Sequence, residues 1–258
     1  MKTEAKKAAA APQELPMLAL RGLVVFPKVI IHFDVAREKS VKALTAAANG
    51  SKLIFLAAQS DYTDDVGADK IYTTGVVAEV KQMLKVPGGI TRVMAEGLYR
   101  AKRVDVISEE PYFICTVKKA PERAPKIDPM EMEALVRAVK DEFMAYSANM
   151  PRMPKEYIES ILGSDDPKTV FDNIAVSMPL PVPEKQQLLE ANGLHNKLSM
   201  LLALLSHEAE VMGIEREIQD KVKLQIDESQ KEYYLREQMR AISQELGEDE
   251  SVQDEAYE

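Results

Sequence analysis

At 258 residues the chain is longer than one ordinary core organises, so two packed regions with extensions are expected, and a hydrophobic share of 46% places it in the globular class. A formal charge of −9 sets an average field that repels phosphate backbones, which argues against a dedicated nucleic-acid binder. The single cysteine, Cys115, excludes an intramolecular disulfide and a cysteine-built metal cage.

Residues 1–14 open with lysines and a short alanine run that lacks the apolar core and cleavage pattern of a secretion signal, so a disordered tail is expected. Nowhere do about 18 uncharged apolar residues follow one another. A soluble, cytoplasmic protein is the expectation.

Residues 15–120 carry short β-branched runs broken by Gly, Pro and Asp, the pattern of strands and turns. The pattern predicts strands at 17–20, 29–33, 53–58, 75–86, 90–96, 101–108 and 112–119. The firmest pairing is the hairpin across Pro87-Gly88-Gly89, where glycine supplies the positive φ of a tight turn. One helix interrupts the strands at 37–48, with Val41, Leu44 and Ala48 on one face and Gly50 as terminator. So many short strands tend to close on themselves, because open edges recruit foreign strands; a small barrel-like module is predicted, its opening covered by the helix.

At residues 121–129 the composition turns to Pro, Lys and Ala and the apolar period changes from two to about 3.6, marking a boundary. A helical bundle is expected over 121–210. Asp128-Pro129 with Glu131 starts its first helix, whose buried stripe is Leu135, Val136, Val139 and Phe143. Asp166-Pro167 starts another with Val170, Phe171 and Ile174, and Pro179, Pro181 and Pro183 end it and open the next. Between residues 196 and 246 there is no proline and the only glycine is Gly213, which permits one very long helix. Leu198, Leu201, Leu202, Leu205 and Val211 should complete the helical core. Beyond them, over 211–248, Ile214, Ile218, Leu235, Met239, Ile242 and Leu246 share one heptad phase, while Lys221, Gln225, Glu228 and Glu232 occupy the same phase with polar groups. A coiled-coil-like linker that meets partners only at its ends is the expectation, followed by a frayed acidic tail at 249–258.

The motifs of chemistry are missing. No G-x-x-x-x-G-K-[ST] phosphate cradle occurs, and Gly88-Gly89 reads as a turn. His207-Glu208 begins like a zinc-protease helix, but the position four residues after the histidine is Val211. His32 and His195 lie far apart in sequence, and Cys115 sits in a strand as a small apolar residue. Asp64-Asp65 and Glu109-Glu110 read as solvated loop charges, and Lys118-Lys119 and the Arg100 to Arg103 stretch as edge cations without interleaved aromatics. Thirteen methionines, Met130, Met132, Met144, Met150 and Met153 among them, suit either an adaptable contact surface or gap filling between helices.

Three segments together resemble the Lon protease family. Leu15-Pro-Met-Leu-Ala-Leu-Arg-Gly-Leu-Val-Val-Phe-Pro27 with Ala36-Arg-Glu-Lys-Ser40 is similar to the family's opening strand, turn and first helix, departing from it at Ala19 and Gly22. Gly75-Val-Val-Ala-Glu-Val, residues 84–89 and Glu96-Gly-Leu-Tyr-Arg-Ala101 resemble its central hairpin. Residues 215–222 and 229–248, with Tyr-Tyr-Leu-Arg-Glu-Gln at 233–238, resemble the long helix leading to the family's ATPase module. The resemblance implies an α+β chain: an N-terminal PUA-like β module with one helix, then a helical bundle ending in the long helix. It further implies a homohexameric parent that unfolds damaged or tagged proteins with ATP and Mg and cuts them with a Ser-Lys dyad, both sites lying in domains that this chain lacks. No catalytic, cofactor-binding or metal-binding residue carries over to these positions.

The reading that follows is a substrate-recognition region that binds unfolded or tagged proteins through a shallow apolar surface. Its expected contacts are Met83, Leu84, Val86 and Ile90 with the helix head Arg37, Glu38 and Lys39. Ile214, Ile218, Leu235, Met239, Ile242 and Leu246 are the expected assembly face, with the fragment itself monomeric or weakly associating. A stand-alone adaptor or holdase is the alternative. RNA binding through a PUA-like fold is a further one, disfavoured by the acidic charge.

Overall fold

The computed structural model describes residues 11–63, 67–121, 127–148, 150 and 153–245. Residues 1–10, Asp64 and Asp65, residues 122–126 of the expected boundary, and the C-terminal stretch from Leu246 onward lie outside the described residues. The architecture is α+β: a six-stranded sheet followed by helices.

The strands are β1 (Gln13–Leu20), β2 (Ile30–Val35), β3 (Leu53–Ala58), β4 (Thr74–Val86), β5 (Ile90–Ser108) and β6 (Ile114–Lys119), with α1 (Glu38–Asn49) between β2 and β3. β1 starts inside the stretch expected to be a tail: Gln13 pairs with Val117 and Glu14 with Thr116 on β6. β1 lies parallel to β3, and the crossover that a parallel pair requires contains β2 and α1. β3, β4 and β5 follow as antiparallel neighbours, and β5 pairs with β6 as well. Because β6 also pairs with β1, the ring β1-β3-β4-β5-β6 closes, which removes the open edges that such strands would otherwise present.

Alternation along the strands sends Leu15, Met17 and Ala19 of β1, Phe55 and Ala57 of β3, Val77, Ala101, Cys115 and Val117 into one cluster, joined by Ile71 and Phe113. The opposite positions Leu18, Leu20, Ile54 and Leu56 are buried too, so this part of the sheet is apolar on both faces. α1 packs on β1 and β3 through Ala43, Leu44 and Ala47. The expected stripe of Val41, Leu44 and Ala48 is thus shifted: Val41 and Ala48 are only half-buried.

β5 is one strand where two were expected. Gly97, in the gap between the expected strands 90–96 and 101–108, stays in the ladder opposite Ala78. Its lack of a side chain serves close approach instead: a Cβ there would stand 2.5 Å from the Phe26 carbonyl oxygen. At the hairpin, Gly88 and Gly89 hold φ of 90° and 76°, as the turn demands.

The helices are α2 (Pro129–Ala148), α3 (Lys155–Leu162), α4 (Pro167–Ser177), α5 (Val182–Glu190) and α6 (Leu194–Glu245). Asp128 accepts from the Met130 amide at the start of α2, and Asp166 accepts from the Lys168 and Thr169 amides at the start of α4. Val136, Val139, Phe143, Tyr146, Ile161, Val170, Phe171, Ile174, Leu198, Leu201 and Leu205 are among the buried apolar residues of these helices, while Leu135 and Leu202 are half-buried. The short α3 was not anticipated, although Pro154 and Gly163 bracket it and Tyr157, Ile158 and Ile161 recur at helical spacing.

Barrel and helices through Leu205 form one compact unit, and the described residues from Ser206 to Glu245 belong to a second. Within the first unit the two halves are tied by named contacts. Phe26 meets Phe171 edge to face at 6.4 Å. Gln186 Nε2 donates to the Thr74 carbonyl at 2.9 Å. Arg100, 5% exposed, donates through Nη1 to the carbonyls of Leu189 (2.8 Å) and Ala191 (2.8 Å), and through Nη2 to Asn192 Oδ1 (2.8 Å). A cation placed on the last carbonyls of α5 satisfies helix-end acceptors and faces the negative end of the helix dipole.

Candidate functional site: the outer face of the β2-β5-β4 wing

β5 and β4 are longer than the barrel needs. β3 pairs β4 from Val76 to Glu79, and the Val80 amide still reaches the Lys52 carbonyl. From Gln82 to Val86, β4 pairs only with β5, while residues 91–96 of β5 pair with β2 on their other side. The result is a three-stranded wing ending in the Gly88-Gly89 turn.

The register assigns each side chain to a face. Ile30, His32 and Asp34 stand opposite Glu96, Met94 and Arg92, which in turn stand opposite Glu79, Gln82 and Leu84, with Ile90 opposite Val86. These positions share the outer face, since cross-strand partners lie on one side of a sheet. Ile31, Phe33, Val35, Val80, Thr91, Val93 and Ala95 share the inner face, where Val93 and Ala95 are fully buried.

The outer face combines apolar groups with ion pairs that satisfy one another. Ile30 is 59% and Leu84 50% exposed; Met94, Val86 and Ile90 are half-buried. Arg92 donates Nε and Nη2 to the two oxygens of Asp34, each at 2.9 Å. That hydrogen bonding holds the Asp34 carboxyl below the usual carboxylate range and pushes the Arg92 guanidinium up. Lys81, the unpaired residue of the β4 bulge, bridges Glu79 at 2.7 Å and Glu96 at 2.9 Å, lowering Glu79 and raising itself. Paired charges around a partly apolar face carry no bond-making chemistry. The face suits shallow, sequence-tolerant contact.

The structure divides the expected contact residues. Leu84, Val86 and Ile90 fall together on the outer face, but Met83 pairs with Val93 and belongs to the inner one. A run of apolar residues in a strand cannot form one patch, because neighbours point to opposite sides. The helix head is engaged elsewhere: Arg37 Nη2 donates to Gln59 Oε1 at 2.7 Å, Glu38 pairs with Lys42, and Lys39 pairs with Glu110 and lies over the Phe113 ring. The Arg37 and Lys39 contacts secure α1 to the β3 and β6 ends of the barrel, while the Glu38–Lys42 pair lies within the helix. Ile30 and Met94 escaped the sequence reading, since nothing in a single strand shows which strand will lie beside it.

Other candidates resolve into structure. Cys115 is fully buried, and burial pushes its thiol up to about 12. Arg103 donates to the Ala68 and Ile71 carbonyls and Lys119 lies 5.0 Å over the Tyr99 ring, so these two serve the barrel while Arg100 serves the end of α5. Among the methionines, Met130 and Met144 are exposed, whereas Met17 and Met178 are core. In the second unit Ile214, Ile218, Leu235, Met239 and Ile242 are all exposed. Val222 and Ile226, also exposed, continue Ile214 and Ile218 in steps of four, so the apolar row crosses the helix where the heptad phase turns polar. Among the described residues no helix is long and apolar enough to cross a membrane.

A closed β-barrel with an appended wing, followed in the chain by helices that end in a long one, places the chain in the α+β class. The family model that matches, over residues 14–207, is the ATP-dependent protease La (LON) substrate-binding domain. Relatives named Lon protease are 42% identical over 93% of this chain in Heliobacterium modesticaldum, 41% over 95% in Brevibacillus choshinensis and 40% over 94% in Escherichia coli K12. The match covers 30%, 32% and 31% of those proteins, so the chain spans about a third of their length. Among solved structures, the N-terminal domain of the Mycobacterium avium complex Lon protease superposes with a TM-score of 0.62 at 22% identity, covering 75% of this chain and 98% of that one. The Lon N-terminal domain protein from Xanthomonas campestris gives 0.52 at 15% identity over 74% and 98%. The chain belongs to the Lon protease family, and it corresponds to that family's N-terminal, substrate-binding region.

Proposed function

We propose that this region captures unfolded or tagged polypeptides on the outer face of the wing and passes them to an ATP-driven unfolding and proteolytic machine. The observation that carries the reading is the family match over residues 14–207, which contain an exposed, partly apolar surface framed by self-satisfied ion pairs. Leu84, Val86 and Ile90, with Ile30 and Met94 beside them, make the contacts; the helix head Arg37, Glu38 and Lys39 supports the neighbouring rim. In the full-length protein a Ser-Lys dyad, ATP and Mg belong to segments other than these 258 residues, and the working assembly is a cytoplasmic homohexamer. The exposed row on α6, through Ile214, Ile218, Leu235, Met239 and Ile242, serves that assembly and spaces the capture surface from the motor; Leu246, expected to extend it, lies outside the described residues.

Crosslinking to reduced, carboxymethylated lactalbumin, a permanently unfolded chain, tests this. Contacts should map to the wing, and a Leu84→Ser, Ile90→Ser double variant should weaken capture about tenfold. Labelling confined to α6 would reject the wing. Binding of RNA, but not of the unfolded protein, would favour the nucleic-acid reading instead.

A further inference from the structure

β2 is the end strand of the sheet, paired with β5 on one side only. The Gly97 amide donates to the Val29 carbonyl at 2.9 Å, and the Lys28 amide, in a residue with φ of 64°, donates back to Gly97. This bulge fixes the parity of the ladder. Residues 29, 31, 33 and 35 exchange hydrogen bonds with β5, and the amides and carbonyls of Ile30, His32 and Asp34 point away from the sheet. Among the described residues, these groups have no backbone partner outside the ladder.

Exposed edges invite foreign strands, and the wing treats its two edges differently. The free stretch of β4 has a bulge and the lysines Lys81 and Lys85, which discourage pairing. β2 has neither within its length. Its one charge, Asp34, is occupied by Arg92. Ile31 and Phe33, on the inner face of β2, remain half-buried and would be covered by one more strand.

We propose that β2 takes an extended segment of substrate polypeptide as an additional strand, reading its backbone rather than its sequence. Backbone pairing explains how one surface accepts unrelated chains, and Ile31 and Phe33 select segments with apolar residues at alternate positions. A second copy of this chain is a poorer occupant. The six residues of β2 span about 20 Å, and two such edges bury far less than the roughly 1,200 Å² of a stable dimer. A capture site that must release its cargo has no need of that area.

The inference rests on the proposed function, and the test separates the two. Amide hydrogen exchange of the whole chain is followed with and without carboxymethylated lactalbumin, and with an alternating Val-Thr peptide of about eight residues. Protection should appear at Ile30, His32 and Asp34 on binding. The same peptide N-methylated at every residue, which blocks both of its edges, should bind at least about tenfold more weakly. Ile30→Lys should weaken the unmethylated peptide similarly, and His32→Pro, which removes an outward-facing amide, should do so independently. Binding of the unfolded protein without protection of these three amides, or equal binding of the methylated peptide, overturns strand addition and leaves the capture surface standing. Failure of the unfolded protein to bind at all overturns both. Protection that appears without any probe, together with a sedimenting dimer, assigns the edge to a second copy and overturns the proposal.

Discussion

Arg100 shows how far one side chain can decide the relation between two parts of a chain. It sits in β5 at 5% exposure, and its guanidinium ends on the carbonyls that close α5. Arg100→Ala would leave those carbonyls buried without a donor and should lower unfolding free energy by about 3 kcal/mol, read from urea melts. Arg100→Lys should recover only part of it, because an ammonium cannot span the fork. Asp61 gives a pH prediction of definite sign. The Lys70 ammonium, with help from the Thr63 hydroxyl, holds its carboxyl down to about 2 from 3.8. A group whose folded value lies below its unfolded one stabilises the fold above the unfolded value, and that contribution disappears as pH falls toward the folded one. Asp61→Asn should therefore flatten the acid limb of a stability profile between about pH 4 and 2, lying below the parent at neutral pH, where the contribution is present, and meeting it near pH 2, where it is lost.

At the scale of elements, caps and turns were legible because their chemistry is local. Asp166 accepts from the Thr169 amide at 3.1 Å, with Pro167 at the first helical position. Asp166→Ala should cost about 1 kcal/mol by thermal or chemical melting, and Asp166→Asn less. The hairpin at Gly88-Gly89, the long helix and the start of α2 were equally readable. The continuity of β5 across residues 97–100 was not legible, because a glycine that ends a strand and a glycine that admits another backbone look the same in one dimension. α1 was found with its buried stripe displaced, since a helix rich in alanine gives a weak apolar signal and the packing against β1 and β3 decides which face turns inward. Three of the wing's five apolar contacts, Leu84, Val86 and Ile90, were named from the sequence, though together with Met83 of the other face, and Ile30 and Met94 join them only through the β2-β5 register.

For the whole molecule, the division after Leu205 carries an expectation of independence. A chain ending at Gly213 keeps the buried residues Leu198, Leu201 and Leu205 and should melt within a few degrees of the full chain. A loss of sheet signal on that truncation would show that the first unit depends on the second. The exposed row along α6, by contrast, gains nothing from burial in its own unit, so its stability rests on helix propensity and on whatever partner it meets.

The sequence alone determined what short-range chemistry controls: the change from period two to period 3.6, the capped helix starts, the glycine hairpin, the proline-free long helix and the lack of nucleotide or metal motifs. It also carried the family, because the quoted segments recur in order. Barrel closure through the second pairing of β5, the place of β2 at the end of the sheet, the use of Arg100 as a cap for α5 and the separation of Met83 from Leu84 were decided by tertiary structure. Each of these depends on which distant segment lies alongside, and strand neighbours are chosen by the burial and hydrogen bonding of the complete fold, which no local stretch encodes.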